Sequence, residues 1–309
     1  MDLSRPLILG TRGSDLALTQ ARTVQALLLE RHAAAGLQVE LEIIRTTGDV
    51  SRASLAQIGG TGVFTKEIER ALVEQRIDLA VHSLKDLPTE LDEGLALVAS
   101  PPRQDVRDTL IMRAGRRLAD LPEGAAVGTG STRRQGQLLA LRPDLRFQEI
   151  RGNVDTRLRQ ARDGEVDAVI LAAAGLHRLG LKDQISGYLD TDEVLPAPGQ
   201  GALGLQMRAD DERASLVAAL NDEPTWLSVI AERAFLRTLG GGCRAPIAAW
   251  GRRISDELRL DGVVARPDGT DLRRASQVAV PERAADLGRE LAEELLRAGA
   301  DAILRDLDA

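Results

Sequence analysis

The chain has very few aromatic residues: of its 309 residues two are Trp, one is Tyr and three are Phe, 2% in all. Its core must therefore be built from Leu, Val, Ile and Ala, and the stacking surfaces that single strands of nucleic acid use are missing. A net charge of -7 argues further against a nucleic-acid or anionic-membrane partner. A single cysteine excludes an internal disulfide and any cysteine-cluster metal site. The three histidines, His32, His82 and His177, are far apart and make no ligand spacing, so no metal is expected. No apolar run reaches the roughly 18 residues that a membrane span needs. Met1-Asp2-Leu3-Ser4-Arg5-Pro6 also lacks the basic start and apolar core of an export signal. These absences point to a cytoplasmic protein with no membrane partner. Lysine is scarce as well: it occupies only positions 66, 85 and 182, so 37 of the 40 basic residues are arginine. One arginine therefore says little, and only a recurring placement is informative.

What the chain does contain, 43% hydrophobic and 28% charged residues, is ordinary for a globular protein of two or three domains. Leu7-Ile8-Leu9 reads as a buried strand that breaks into Thr11-Arg12-Gly13-Ser14, with Ser14 capping an amphipathic helix over 15–33. Such a strand, turn and helix start gathers backbone N–H groups around an anion. The pattern returns at 125–128, where Thr129-Gly130-Ser131 leads into a helix over 132–141 that opens with Arg133-Arg134. Cations at that end oppose the helix dipole, which points to an anionic ligand shared with the N–H groups. A strand over 147–150 leads into Arg151-Gly152-Asn153, where Asn153 caps a helix that Gly164 ends. Nine arginines lie between Ser131 and Arg178, and Arg133, Arg134, Arg151, Arg157 and Arg178 all fall at strand-to-helix junctions. A convergent site for carboxylates, which arginine grips with two parallel hydrogen bonds, explains that recurrence better than scattered surface cations do.

Three further stretches carry chemistry or organisation. Leu79-Ala80-Val81 is a buried strand ending in His82-Ser83-Leu84-Lys85-Asp86-Leu87-Pro88. Lys85 and Asp86 there sit either at the ligand position of an open α/β sheet or on a solvated turn before Pro88. Gly240-Gly241-Gly242-Cys243-Arg244-Ala245-Pro246 presents the lone thiol on a flexible loop beside a cation, as a nucleophile or attachment point would be; the alternative is a small buried hydrophobe. Ser100-Pro101-Pro102-Arg103-Gln104-Asp105 is a candidate hinge, and Leu195 to Gly201 a rigid crossing segment. The tail reads as strands over 258–265 and 275–280 and a last helix over 281–297, a small α+β domain fed by a helix over 225–239.

Seven of these segments occur in the order and at the spacing of one known family: Gly10 to Ser14, Val81 to Pro88, Gly128 to Arg134, Leu145 to Arg157, Ala174 to Gly180, Pro196 to Gly201 and Gly241 to Ile247. Over essentially its whole length the chain resembles the porphobilinogen deaminases. The resemblance implies an α/β fold of two periplasmic-binding-protein-like lobes plus a small C-terminal α+β domain carrying the cofactor cysteine. The implied boundaries are 1–100 with 198–220, 101–197 and 221–309. It implies a monomeric, metal-free transferase that condenses four porphobilinogen molecules, a small-molecule substrate, with loss of ammonia, on a dipyrromethane cofactor held through Cys243. Asp86 matches the family's catalytic carboxylate. Arg12, Ser14, Lys85, Thr129, Ser131, Arg133, Arg134, Arg151, Arg157, Arg178 and Gln200 match its cofactor- and substrate-binding positions. The chain departs from the family's common pattern at Thr61, where Lys is frequent, and at Gly130 and Thr132. A non-catalytic receptor for a carboxylate-rich ligand would use the same arginines, but the Cys243 loop counts against it. A cysteine hydrolase lacks a paired histidine.

Overall fold

Short aliphatic runs alternating with amphipathic stretches fold, in the computed structural model, into two mixed sheets whose parallel strands are joined through helices and a third sheet that is antiparallel. The structure describes residues 5–46, 65–242 and 245–306; Thr61, Cys243 and Arg244 lie outside them. The chain forms β1 (Leu7–Thr11), α1 (Asp15–Arg31), β2 (Val39–Ile43), α2 (Lys66–Val73), β3 (Leu79–Ser83) and β4 (Leu95–Ala99). It continues through β5 (Asp108–Met112), β6 (Ala126–Gly128), α3 (Thr132–Leu141), β7 (Arg146–Gln148), α4 (Val154–Asp163), β8 (Ala168–Ala172), α5 (Ala173–Arg178) and β9 (Gly187–Tyr188). Then come β10 (Leu203–Arg208), α6 (Ala214–Ala218), α7 (Glu223–Thr238), β11 (Ile247–Ile254), β12 (Glu257–Ala265), β13 (Leu272–Ala279) and α8 (Ala284–Leu295).

Two compact units result, one of Met1–Arg103 and Ala202–Trp226, the other of Gln104–Gly201 and Leu227–Ala309. The first holds a five-stranded sheet in the order β2-β1-β3-β10-β4, with β1 parallel to β2 and β3 and with β10 antiparallel to β3 and β4. The buried face of α1, carrying Ala21, Val24 and Leu28, packs on Leu7, Leu9, Leu79 and Val81. Full burial of each large aliphatic side chain contributes about 1.5–3 kcal/mol.

The second unit repeats the scheme in the order β7-β6-β8-β5-β9, with β6 parallel to β7 and β8 and with β5 antiparallel to both of its neighbours. In both sheets the antiparallel strand is the first one the chain makes after a crossing, β5 after Arg103 and β10 after Gly201. Gly201 has φ +86, and a Cβ there would lie 2.5 Å from the Gln104 carbonyl oxygen, so this close approach of the two crossing segments requires glycine.

The remainder of the second unit is an antiparallel sheet β11-β12-β13. Phe235 of α7 is fully buried among Ile247, Leu258 and Leu260 of the sheet and Leu287 and Leu291 of α8. Among the described residues no helix is long and apolar enough to cross a membrane.

Candidate active site

In the first unit, parallel strands β1 and β3 end side by side, and their exits build one pocket. β1 gives way at Thr11 to Arg12-Gly13-Ser14. The Ser14 hydroxyl accepts the Ala17 N–H at 3.4 Å and starts α1, as expected of a helix cap. β3 gives way at Ser83 to a single 3-10 turn, Leu84–Asp86, anchored by buried Leu84, whose N–H donates to the Ala202 carbonyl at 3.0 Å. Arg12, Ser14, Gln20, His82, Ser83 and Asp86 line the pocket, and Lys85 stands half-buried on the same turn. This is the carboxyl edge of a parallel sheet, where open α/β folds place ligands. The Asp86 carboxylate is half-buried and has no hydrogen-bond partner among the described residues. The Gln20 amide, by contrast, donates to Ser83 Oγ at 2.8 Å and fixes the pocket wall.

Behind the pocket runs a line of buried polar groups. His82 Nε2 lies 2.9 Å from Gln206 Oε1, and Gln206 Nε2 donates to Glu69 Oε1 at 2.9 Å. His82, Gln206 and Glu69 are 5%, 0% and 4% exposed.

In the second unit the expected arginines occupy three places. At the β6–α3 turn Thr129 is buried, its hydroxyl accepts the Ser131 N–H at 3.2 Å, and Ser131 Oγ accepts the Arg134 N–H at 3.4 Å. Arg133 and Arg134, only 4% and 6% exposed, both turn inward onto Asp108. Arg133 Nη2 donates to Asp108 Oδ2 at 2.8 Å, and Arg134 Nη2 donates to Oδ1 at 2.7 Å. Gln200 Nε2 donates to the same Oδ1 at 2.8 Å and to the Val106 carbonyl at 2.7 Å. Further donations run from Arg133 to the Leu195 carbonyl at 2.6 Å and from Arg134 to the Ile170 carbonyl at 3.0 Å.

Burial pushes the Asp108 carboxyl up, but the charges of Arg133 and Arg134 and the hydrogen bonds from Arg134 and Gln200 outweigh it and hold the group well below the usual carboxylate range. Burial pulls the Arg133 guanidinium down against the upward pull of Asp108. Two guanidinium groups on one carboxylate leave a positive charge in excess, and the buried Arg134 Nε has no hydrogen-bond partner among the described residues.

The second place is the β7–α4 junction. There Arg151 donates to Glu149, Arg157 Nε donates to the Gly152 carbonyl at 3.0 Å, and Asn153 Oδ1 accepts the Thr156 N–H at 3.0 Å to cap α4. The third is Arg178 at the end of α5, which donates to the Gly201 carbonyl at 2.7 Å; burial pushes its guanidinium down to about 10.

The structure thus brings Arg12, Ser14 and Asp86 onto one pocket and gathers Arg133, Arg134 and Gln200 on one carboxylate. Asp108 itself escaped the sequence reading; an acid heading an otherwise apolar strand was its only local signal. Gln206 and Glu69 also escaped it, because nothing in the sequence pairs them with His82. Among the described residues no group of three or more His, Cys, Asp and Glu is placed to hold a metal ion.

Comparison with known proteins adds a second line. Residues 7–215 match the family model "Porphobilinogen deaminase, dipyromethane cofactor binding domain", and residues 226–297 match the corresponding C-terminal domain. The chain is 48% identical to the porphobilinogen deaminase of Syntrophobacter fumaroxidans over 305 residues, 98% of each chain. It is 50% identical to that of Syntrophotalea carbinolica over 307 residues, 99% of this chain and 97% of the relative. Among solved structures, a periplasmic substrate-binding protein of an ABC transporter from Coxiella burnetii is similar at a TM-score of 0.44, with 15% identity over 74% of this chain and 96% of that one.

Proposed function

The chain belongs to the porphobilinogen deaminase family, and from that premise we propose how its own residues perform the family's reaction. It is a transferase that joins four porphobilinogen molecules head to tail, with loss of ammonia, into hydroxymethylbilane on a dipyrromethane cofactor. Membership sets aside the non-catalytic receptor that the same arginines would also suit. When bound, the dipyrromethane supplies the terminal pyrrole to which each new unit is joined.

The residues present fit such a group, and the observation that carries the reading is the excess charge at Asp108. Pyrroles of this pathway carry carboxylate side chains. Arg133 and Arg134 present one more positive charge than Asp108 neutralises and keep a buried N–H unsatisfied. A buried donor and an unbalanced cation are costly until an anion meets them. Arg178, desolvated and bonded to a carbonyl rather than to a carboxylate, offers a second seat of the same kind. Arg151 and Arg157, with Thr129, Ser131 and Gln200, complete the cofactor- and substrate-holding set of the second unit.

In the first unit Asp86 is the catalytic carboxylate. It accepts hydrogen bonds from pyrrole N–H groups and holds its negative charge where positive charge develops as ammonia departs. Arg12, Ser14 and Lys85 bind substrate carboxylates beside it. Cys243, after its glycines, is the attachment point: its thiol is consumed once, in forming the thioether, and takes no part in later turnovers. In this reading 1–100 with 198–220 and 101–197 are the two catalytic domains, and 221–309 is the domain that carries Cys243. The enzyme acts in the cytoplasm as a monomer on a small-molecule substrate, with no nucleic-acid or membrane partner.

The intact mass of the purified protein tests the reading. The expected mass exceeds that of the chain by one dipyrromethane, and Cys243→Ser removes the excess. A bare-chain mass from cells that make the cofactor refutes the assignment.

A further inference from the structure

A buried carboxylate, amide and imidazole in a row are expensive to enclose, and they persist only when each is satisfied by the next. Glu69 on α2, Gln206 on β10 and His82 on β3 form such a row, and its last member lines the pocket that also holds Asp86. The row has a direction. Glu69 as a carboxylate only accepts, so the Gln206 amide turns its NH2 toward Glu69 and its oxygen toward His82. An amide oxygen also only accepts, so His82 must carry a proton on Nε2. The ring can then gain or lose a proton only at Nδ1.

We propose that Glu69 and Gln206 are positioning residues that hold His82 as the Nε2–H tautomer, making Nδ1 the atom at which the Asp86 pocket takes up and releases a proton during turnover. The inference rests on the proposed function, which places the reaction in this pocket. Each joining breaks one C–N bond and forms one C–C bond: the leaving amine takes a proton from Nδ1 and departs as ammonia, and Nδ1 recovers a proton from the carbon once the C–C bond has formed. Nδ1 thus holds the proton from one joining to the next. The imidazolium formed is balanced by Glu69 across the amide, so no unpaired charge is created in the interior. Among the described residues, Arg12 from the β1–α1 turn and Asp86 from the turn after β3 line the same pocket as the ring, Lys85 stands beside Asp86 on that turn, and Glu69 from α2 reaches the ring through Gln206.

The test uses the full-length holoenzyme labelled with 15N in its histidines. There are only three such rings, and His82→Gln identifies the signal that belongs to His82. The expected neutral ring has a protonated, pyrrole-like Nε2 and a pyridine-like Nδ1. Glu69→Gln is expected to weaken the proton affinity of that ring by about tenfold, a change of one pKa unit. It is also expected to move one limb of the kcat/KM pH profile in parallel, while KM on the plateau stays as in the wild type. A neutral ring protonated on Nδ1 overturns the proposal using the wild-type protein alone. So does a ring that does not titrate anywhere in the active pH range, or one whose titration shifts in Glu69→Gln while the kinetic limb stays in place. The ring spectra do not depend on turnover, and the intact-mass experiment does not depend on His82, so the two readings fail separately.

Discussion

β1 runs into α1 through Arg12 and Ser14, and β6 runs into α3 through Ser131, Arg133 and Arg134. Both serines cap their helices, yet the arginines end in opposite surroundings. Arg12 stays half-buried on the wall of a pocket that also holds Asp86. Arg133 and Arg134 are sealed from solvent on Asp108. The same turn therefore yields two devices. In the first unit it sets an arginine on the wall of a pocket; in the second a fixed carboxylate consumes part of the charge and leaves a preset remainder. A strand-to-helix junction decides where an arginine stands, and the presence of an acid on a neighbouring strand decides what that arginine is able to bind.

Asp108→Ala should break the comparison most forcefully. It strands two buried guanidinium groups, and a loss of about 3–5 kcal/mol in urea unfolding is expected. Asp86→Ala, which removes a carboxylate without a partner among the described residues, should stay within about 0.5 kcal/mol. Equal effects would erase the distinction between the two units.

Asp86→Asn comes next, with turnover expected to fall about 10²–10³-fold while the unfolding midpoint holds, because the amide keeps the shape and loses the charge. Near-normal turnover would remove Asp86 from the mechanism.

Arg178→Ala should follow, costing about 1.5–3 kcal/mol in the interaction with a carboxylate ligand, as removal of a charge-assisted hydrogen bond does. The readout is the efficiency of cofactor loading by intact mass, and full loading at wild-type rates would dismiss this seat.

Acid should expose a smaller effect. The folded Asp108 carboxyl titrates below its unfolded value, so the unfolded chain takes up the proton first as pH falls. The stability this group supplies is complete above the unfolded pKa of about 3.9 and declines as pH drops from there toward the folded pKa. In the first unit burial pushes Asp78 up, but hydrogen bonds from Arg5, Arg213 and the Ile8 N–H outweigh it, so the sign is the same. Urea midpoints measured between about pH 5 and pH 3 should fall for the wild type, and a flat profile would contradict both assignments.

Smallest of all, Arg12→Ala should leave the unfolding midpoint within about 0.5 kcal/mol while raising KM for porphobilinogen. A large loss of stability would mean that Arg12 is built into the fold as Arg133 and Arg134 are.

The junctions were the most legible part of the sequence, because their chemistry is local. Ser14, Ser131 and Asn153 cap the helices they were expected to cap, and α3 spans Thr132–Leu141 as the pattern indicates. Helix ends were less so: α1 stops at Arg31 rather than at 33, and a 3-10 turn over Ala33–Ala35 follows before Gly36 at φ +67. β11 went unread because Gly251, Arg252 and Arg253 interrupt its apolar run. Gly251 is needed there: its N–H donates to buried Glu232 at 2.7 Å, and a Cβ would lie 2.8 Å from the Ser228 carbonyl oxygen. The last helix, expected over 281–297, begins as a 3-10 turn over Pro281–Arg283 and is α-helical over Ala284–Leu295; beyond the expected end, helical turns continue to Arg305 past a kink at Gly299, φ +100. Asp108 and the His82 line were illegible for a different reason. Their meaning depends on partners 25, 26 and 124 positions away in the chain, and no periodicity connects them.

The two crossings also set an order of assembly. The second sheet is made wholly from residues between 104 and 201, so its five strands are all available as soon as that stretch has left the ribosome. The first sheet is not, because β10 lies between β3 and β4. Until the chain has been synthesised past Arg208, β3 has an open edge and β4 has no neighbour at all. The pocket of Asp86 and His82 sits beside that late strand, and Gln206 arrives on it. The sheet that begins the sequence is therefore the later of these two five-stranded sheets to have all of its strands synthesised.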